Sequence, residues 1–321
     1  MATCIGGLAT SHSPQLNTEP AVWLQRAAWD RDNPVFNFSE LLQRVDLPED
    51  LDDRLTLESF QRAYDRCQEG IRRLAEAYAE LAPDVVVVVG DDQHEMFPGD
   101  VIPAVAIYCD DEILDIPRDL STLHPSQLPG EWAYHGEEVT SRPTAGGLAR
   151  HLSGQLTDDG FEITQIRRQP DGRTLGHAFT FIHRRIMGDR IVPMVPIMVN
   201  TDHVLTSPRP RRCWQLGEAL REAIDSYPED VRVLVIGSGG LSHFKLDEQL
   251  DAQVLQALAA KDLDLLEKLP AEELVLGTSE IRNWIVAAGA MHDRTLTVLD
   301  YVPAYRSEGG TGCGMGFARW D

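Results

Sequence analysis

The chain has 321 residues, 43% of them hydrophobic, enough for one large core or two small ones. Its 51 acidic residues against 29 Lys and Arg give a formal net charge of −22, a field that repels nucleic-acid backbones and anionic membrane surfaces. The cysteines at 4, 67, 109, 213 and 313 are scattered and never spaced C-x-x-C, which argues against a zinc ribbon and for reduced thiols in a cytoplasmic protein. No apolar run approaches the roughly 18 residues of a membrane span, and Met-Ala-Thr-Cys-Ile-Gly-Gly lacks the basic and apolar regions of a signal peptide.

In chain order, Thr3 to Ala9 reads as a first strand, ending in Thr10-Ser-His-Ser-Pro14, so that His12 follows a core strand. Residues 16–55 are irregular, with short helices and with Trp23, Trp29, Phe36 and Phe38 among charges; this segment is expected to cover the core and border a site. Leu57 to Leu81 is the clearest helix, because Phe60, Tyr64, Cys67, Ile71, Leu74, Tyr78 and Leu81 recur at gaps of four and three. Five valines up to Gly90 then read as a strand buried on both faces, followed by Asp91-Asp-Gln-His-Glu-Met-Phe97. His94 among carboxylates is sound metal-site chemistry, as it is also ordinary loop composition.

Val101 to Cys109 is a strand, 110–129 a proline-punctuated loop, 145–152 helical and Phe161 to Ile166 a strand. Gly176-His177 precedes an apolar helical turn. Ile191 to Val199 is a strand whose two prolines indicate a bulge or an edge position, with Asn200-Thr-Asp-His203 at its end. Arg211 to Ser226 is a helix. Val231 to Ile236 is another core strand, and Gly237-Ser-Gly-Gly240 breaks it just before Ser242 and His243. That turn has neither Gly-x-x-x-x-Gly-Lys-Ser/Thr nor Gly-x-Gly-x-x-Gly, so a phosphate cradle is unsupported. Asp247 to Leu269 reads as one long amphipathic helix. A further helix runs over 277–289, capped by Thr278 or Ser279, with Glu280 compensating its dipole. Leu296 to Tyr301 is a strand, and the glycine-rich 309–316 either closes a pocket or turns. The alternation predicts a single α/β domain over 1–321, with a central mixed, largely parallel sheet covered by helices on both faces.

Five blocks in one order, Thr10 to Pro14, Val85 to Phe97, Gly176-His177, Gly237 to His243 and Glu280-Ile-Arg-Asn-Trp284, resemble the class III extradiol ring-cleavage dioxygenases of the protocatechuate 4,5-dioxygenase β-chain type. Trp29 to Pro34 and Gly90-Asp-Asp-Gln-His-Glu95 look most like the branch of the 3-O-methylgallate dioxygenases. The resemblance implies an Fe(II) held by His12, His94 and Glu280, a 2-His-1-carboxylate triad with open positions for substrate and dioxygen. It further implies His243 as acid/base and His177 as a second active-site histidine. The substrate would be a lignin-derived aromatic acid such as 3-O-methylgallate, gallate or protocatechuate, and the product its ring-opened semialdehyde or a pyrone. Two departures stand out: Leu175-Gly-His-Ala178 replaces the family's Asp-His-Gly, and Gln93 intervenes before His94. A homodimer is expected. The small covering subunit of two-chain members has no matching segment after residue 321, which leaves 16–55 as a built-in cover. Arg173, Arg282 and Lys245 are the candidate partners for a substrate carboxylate. Two rival readings are a zinc hydrolase or lyase on the same ligands, and a metal-free binding protein of the same fold.

Overall fold

The computed structural model describes every residue except 35, 36 and 202, so Phe36 and Asp202, both noted above, lie outside the described residues. Among the described residues eleven strands form: β1 (Thr3–Thr10), β2 (Val85–Gly90), β3 (Val105–Tyr108), β4 (Glu112–Asp115), β5 (Thr140–Pro143), β6 (Ile163–Ile166), β7 (Met194–Val199), β8 (Arg232–Ser238), β9 (His243–Lys245), β10 (Leu296–Tyr305) and β11 (Thr311–Trp320). Nine make one sheet in the order β10-β11-β1-β8-β2-β7-β3-β6, with β9 paired to β11; β4 and β5 form a separate hairpin-like pair. Strands β1, β8, β2 and β7 run parallel at the centre, while β11 meets β1, and β3 meets β7, antiparallel. The result is a single α/β domain with a mixed, mostly parallel sheet and no barrel closure, as expected.

The valine run of β2 shows why both faces need cover. Val85, Val87 and Val89 enter a core against Leu148, Leu152, Leu220 and Ile285, whereas Val86 and Val88 enter another against Phe60, Ile71, Leu74 and Phe179. Alternate side chains of one strand thus fill two cores, the period-2 geometry of a sheet with helices on each side.

Helix Leu57–Leu81 has the predicted bounds: Thr56 accepts from Ser59 N at its start, and Ala82 turns left-handed (φ 45°) before Pro83. Elsewhere the structure corrects the expectations. β7 is central, not an edge; its ladder to β3 stops at Ile197, so Pro196 sits where no donor to that neighbour is required. The long helix at 247–269 is two, Glu248–Ala260 and Leu263–Glu267, because Lys261 turns left-handed (φ 56°) and the Asp262 carboxylate caps Leu265 N. In the glycine-rich tail Gly309 and Gly310 (φ 70°) turn the chain, as one expectation had it, and Thr311 onward is β11, where a Cβ on Gly316 would come within 2.9 Å of the Trp284 ring. Segment 16–55 carries a full helix, Pro20–Asp32, besides the short turns.

Candidate active site

Three neighbouring parallel strands, β1, β8 and β2, end on the same side of the sheet, and the loops leaving them meet there. β1 delivers His12, β2 delivers Asp91 and Gln93, and β8 leads through its glycine turn to His243. Helix His177–Phe181 packs on the end of β2 and starts with His177. Glu280 stands at the N-terminal end of helix Ile281–Ala290, which packs on β8. His12, Gln93, His177, His243 and Glu280 all line one cavity of about 310 Å³. The described helices include none long and apolar enough to cross a membrane, and all five cysteines are buried and unpaired.

His12 is 2% exposed, and its tautomer can be read from its partners. Ser238 Oγ lies 2.6 Å from Ala178 O, so its proton goes there, and it accepts from His12 Nδ1 at 3.0 Å. His12 Nε2 therefore carries a lone pair. It is buried, makes no hydrogen bond of acceptable geometry, and faces Glu280 Oε2 at 3.3 Å and Asp91 Oδ1 at 4.0 Å. A lone pair facing two carboxylates in a buried pocket is unfavourable unless a cation lies among them.

Both carboxylates are under electrostatic load. Burial and the neighbouring Glu280 charge push Asp91 up to about 6. Burial opposes ionisation of Glu280 as well, but His243 and His12 hold it well below the usual range. Glu280 accepts from Gly240 N at 2.7 Å and lies 3.3 Å from His243 Nε2. Its side chain is thus turned into the site, and the helix it precedes is not capped by Thr278 or Ser279. Thr278 instead brackets the His243 backbone, accepting from its N–H at 3.0 Å and donating to its carbonyl at 2.9 Å.

His243 is aimed by its surroundings. Nδ1 donates to Leu241 O at 2.8 Å, which leaves Nε2 for the cavity. Glycine is required beside it: a Cβ on Gly240 would come within 2.5 Å of the imidazole, and one on Gly277 within 2.0 Å. Burial opposes its protonation, yet the Glu280 carboxylate raises it well above the ordinary histidine value.

His177 stands edge-on to His12, ring centroids 4.7 Å apart. Its Nδ1 is 2.8 Å from Glu95 Oε1, and its backbone N–H donates to the same oxygen. Arg118 pairs with that oxygen too. Burial works against the imidazolium, but Glu95 holds His177 up to about 9. Glu95 therefore orients His177 as a carboxylate orients a working histidine.

His94 is the expected ligand that the fold does not bring to this cluster. Its backbone is left-handed (φ 65°), and its side chain lines a separate cleft with Phe97, Ile102, Pro103 and His203. That cleft encloses only about 30 Å³, room for a water or so. The neighbouring Gln93 enters the cavity instead, its amide 3.2 Å from Asp91 Oδ2 and 3.3 Å from Glu280 Oε1. The cations expected to meet a substrate carboxylate are engaged elsewhere. Arg282 is spent on the carbonyls of Pro208, Leu274 and Ser279, Arg173 reaches His94 O, and Lys245 pairs with Glu273. The cavity wall carries Arg26, Arg118 and Arg306, to which no sequence signal pointed. Arg26, Trp29, Asp30 and Asn33 place part of segment 16–55 on that wall, where Trp29 stacks on His124 at 4.3 Å.

Strand ends and helix starts of this α/β domain gather His12, His177, His243 and Glu280 around one cavity with Asp91 beside His12, and residues 58–316 match the family described as the catalytic LigB subunit of aromatic ring-opening dioxygenases. The chain belongs to that family. It is 34% identical over 175 residues to a gallate dioxygenase of Pseudomonas putida, a match covering 50% of each chain. It is 30% identical over 169 residues to a 2,3-dihydroxyphenylpropionate/2,3-dihydroxicinnamic acid 1,2-dioxygenase of Comamonas testosteroni, covering 52% of this chain and 45% of that one. The chain spans about half the length of the curated relatives it matches.

Proposed function

We propose that this protein is an Fe(II)-dependent extradiol dioxygenase that opens the ring of a catecholic aromatic acid of the gallate, protocatechuate or 3-O-methylgallate kind, working in a reducing cytoplasm as a homodimer. The observation that carries the reading is the bare Nε2 of His12 facing Glu280 and Asp91 in the floor of the cavity. Such mixed nitrogen and oxygen donors suit a first-row divalent ion, and His12, Asp91 and His177 offer donor atoms within 4.8 Å of one another. His12 and Glu280 would hold the iron, with Asp91 as third donor in place of His94. When bound, Fe(II) supplies the redox partner that lets dioxygen react with a catechol.

The chain's own groups do the remaining work. With Nδ1–H fixed on Leu241 O and the Glu280 charge engaged by iron, which would relieve the pull that raises its pKa, His243 would present Nε2 to take a proton from a substrate hydroxyl and later return it, a role worth about 10²–10⁴ in rate. His177, kept protonated by Glu95, offers a donor to oxygen that gains negative charge. The Pro20–Asp32 helix and the Trp29–His124 stack wall the cavity from solvent.

The test is oxygen uptake by protein reconstituted anaerobically with Fe(II) and mixed with gallate, protocatechuate or 3-O-methylgallate. The proposal expects iron-dependent uptake with loss of the catechol absorbance. Iron-loaded protein that consumes no oxygen with any of them sinks it, as does activity with zinc alone.

A further inference from the structure

We infer that Arg26 is the anchor for a carboxylate on the substrate, so that the cavity selects catechols carrying an acid group over neutral ones. The inference deepens the ring-cleavage reading and rests on it.

Three guanidinium groups reach the cavity, and two are committed. Arg306 makes bonds of 2.7 and 2.9 Å to the Asp30 carboxylate and a third to Gln15. Arg118 is paired with Glu95 and lies 3.7 Å from Glu131. Arg26 has no such partner. It is 5% exposed, lines the same cavity as His12 and Glu280, and its Nη1 is buried with no acceptor among the described residues. Burial and the like charge of Arg306 lower its pKa to about 10, which still leaves it cationic at neutral pH. Asp30, whose negative charge Arg26 feels, is already bound by Arg306, and a buried cation without a counter-ion of its own weakens the fold; chains retain one where a ligand completes it. A planar guanidinium fork matches a carboxylate with two parallel bonds.

Position supports the same reading. Arg26 is on helix Pro20–Asp32, on the cavity wall, whereas His12 and Asp91 follow strand ends and Glu280 stands at the start of helix Ile281–Ala290. A ring held by its hydroxyls at His12 and Glu280 and by its carboxylate at Arg26 is fixed at two points, which sets which ring edge faces His243. Within a net charge of −22, this local excess of cation is also what draws an anionic substrate inward.

The experiment uses the Fe(II)-loaded protein under anaerobic conditions and measures, by calorimetry, binding of 3,4-dihydroxybenzoate and of its methyl ester. The wild type is expected to bind the acid at least about tenfold tighter than the ester, the scale of a hydrogen-bonded charge pair. In Arg26→Met that preference should vanish, with ester binding changed less than about threefold, and Arg26→Lys should keep part of it. The ligand-free Arg26→Met protein should melt no lower than wild type, since no pair is broken. An Arg26→Met protein that keeps the acid preference overturns the inference, as does a wild type that binds acid and ester alike or binds neither. Oxygen uptake on the same samples separates the two proposals. Acid-selective binding without uptake rejects ring cleavage and keeps the anchor; uptake without acid preference does the reverse. If Arg26→Met fails to fold, the wild-type acid-to-ester ratio and Arg26→Lys still decide.

Discussion

Two places on this molecule put histidines at the carboxyl ends of core strands, and they have opposite characters. The cavity beyond β1, β8 and β2 encloses about 310 Å³ and is lined by His12, His177, His243 and Glu280, with Asp91 beneath it 4.0 Å from His12, all at most 7% exposed. The cleft between the loop after β2 and the end of β7 holds His94 and His203 among Phe97, Ile102, Pro103 and Met198, with about 30 Å³ of space. Strand-end position is common to both. In the cavity each histidine has Nδ1 held by Ser238, Glu95 or Leu241, which leaves Nε2 directed by the protein. Working histidines are recognised by that fixed second nitrogen more than by their place after a strand.

Substitutions can break or sharpen this contrast. The largest effect is expected from Glu280→Ala, which removes a carboxylate shared by His12 and His243; iron content after reconstitution should fall below about a tenth of wild type and turnover should vanish with it. Unchanged iron would remove Glu280 from the ligand set. His243→Ala should keep its iron and lose about 10²–10⁴ in kcat, read by oxygen uptake on iron-quantified protein. Full activity there would end the acid/base assignment. Glu95→Gln, which weakens the hold on His177, should cost about 10–100-fold in activity with the fold intact by circular dichroism. His94→Ala is the smallest change: iron and turnover should stay within about twofold of wild type, because its ring lies in the other cleft.

Much of the fold was legible because strand and helix periods were strong. The five valines of β2 and the four-three stripe of Leu57–Leu81 admit few other arrangements. The break at Lys261-Asp262 was hidden because the apolar stripe continues through Leu265, Leu266 and Leu269 on its far side. β11 was hidden because glycine, a poor strand former, is needed there for close approach of neighbours. In the site, His12, His177, His243 and Glu280 were in view from the sequence, and the fold brings them together. The resemblance points to His94, whereas the fold turns the neighbouring Gln93 into the cavity; no local rule says which way a loop side chain points once the backbone turns left-handed. Glu95 and Arg26 act through neighbours distant in sequence, His177 and the cavity wall, so no spacing announces them.

The central claim is that the cavity, and not the neighbouring cleft, holds the metal. The most direct measurement is the iron stoichiometry of anaerobically reconstituted His12→Ala and His94→Ala beside wild type. The account predicts about one iron per chain in wild type and His94→Ala, and almost none in His12→Ala. Loss of iron from His94→Ala with retention in His12→Ala would contradict it.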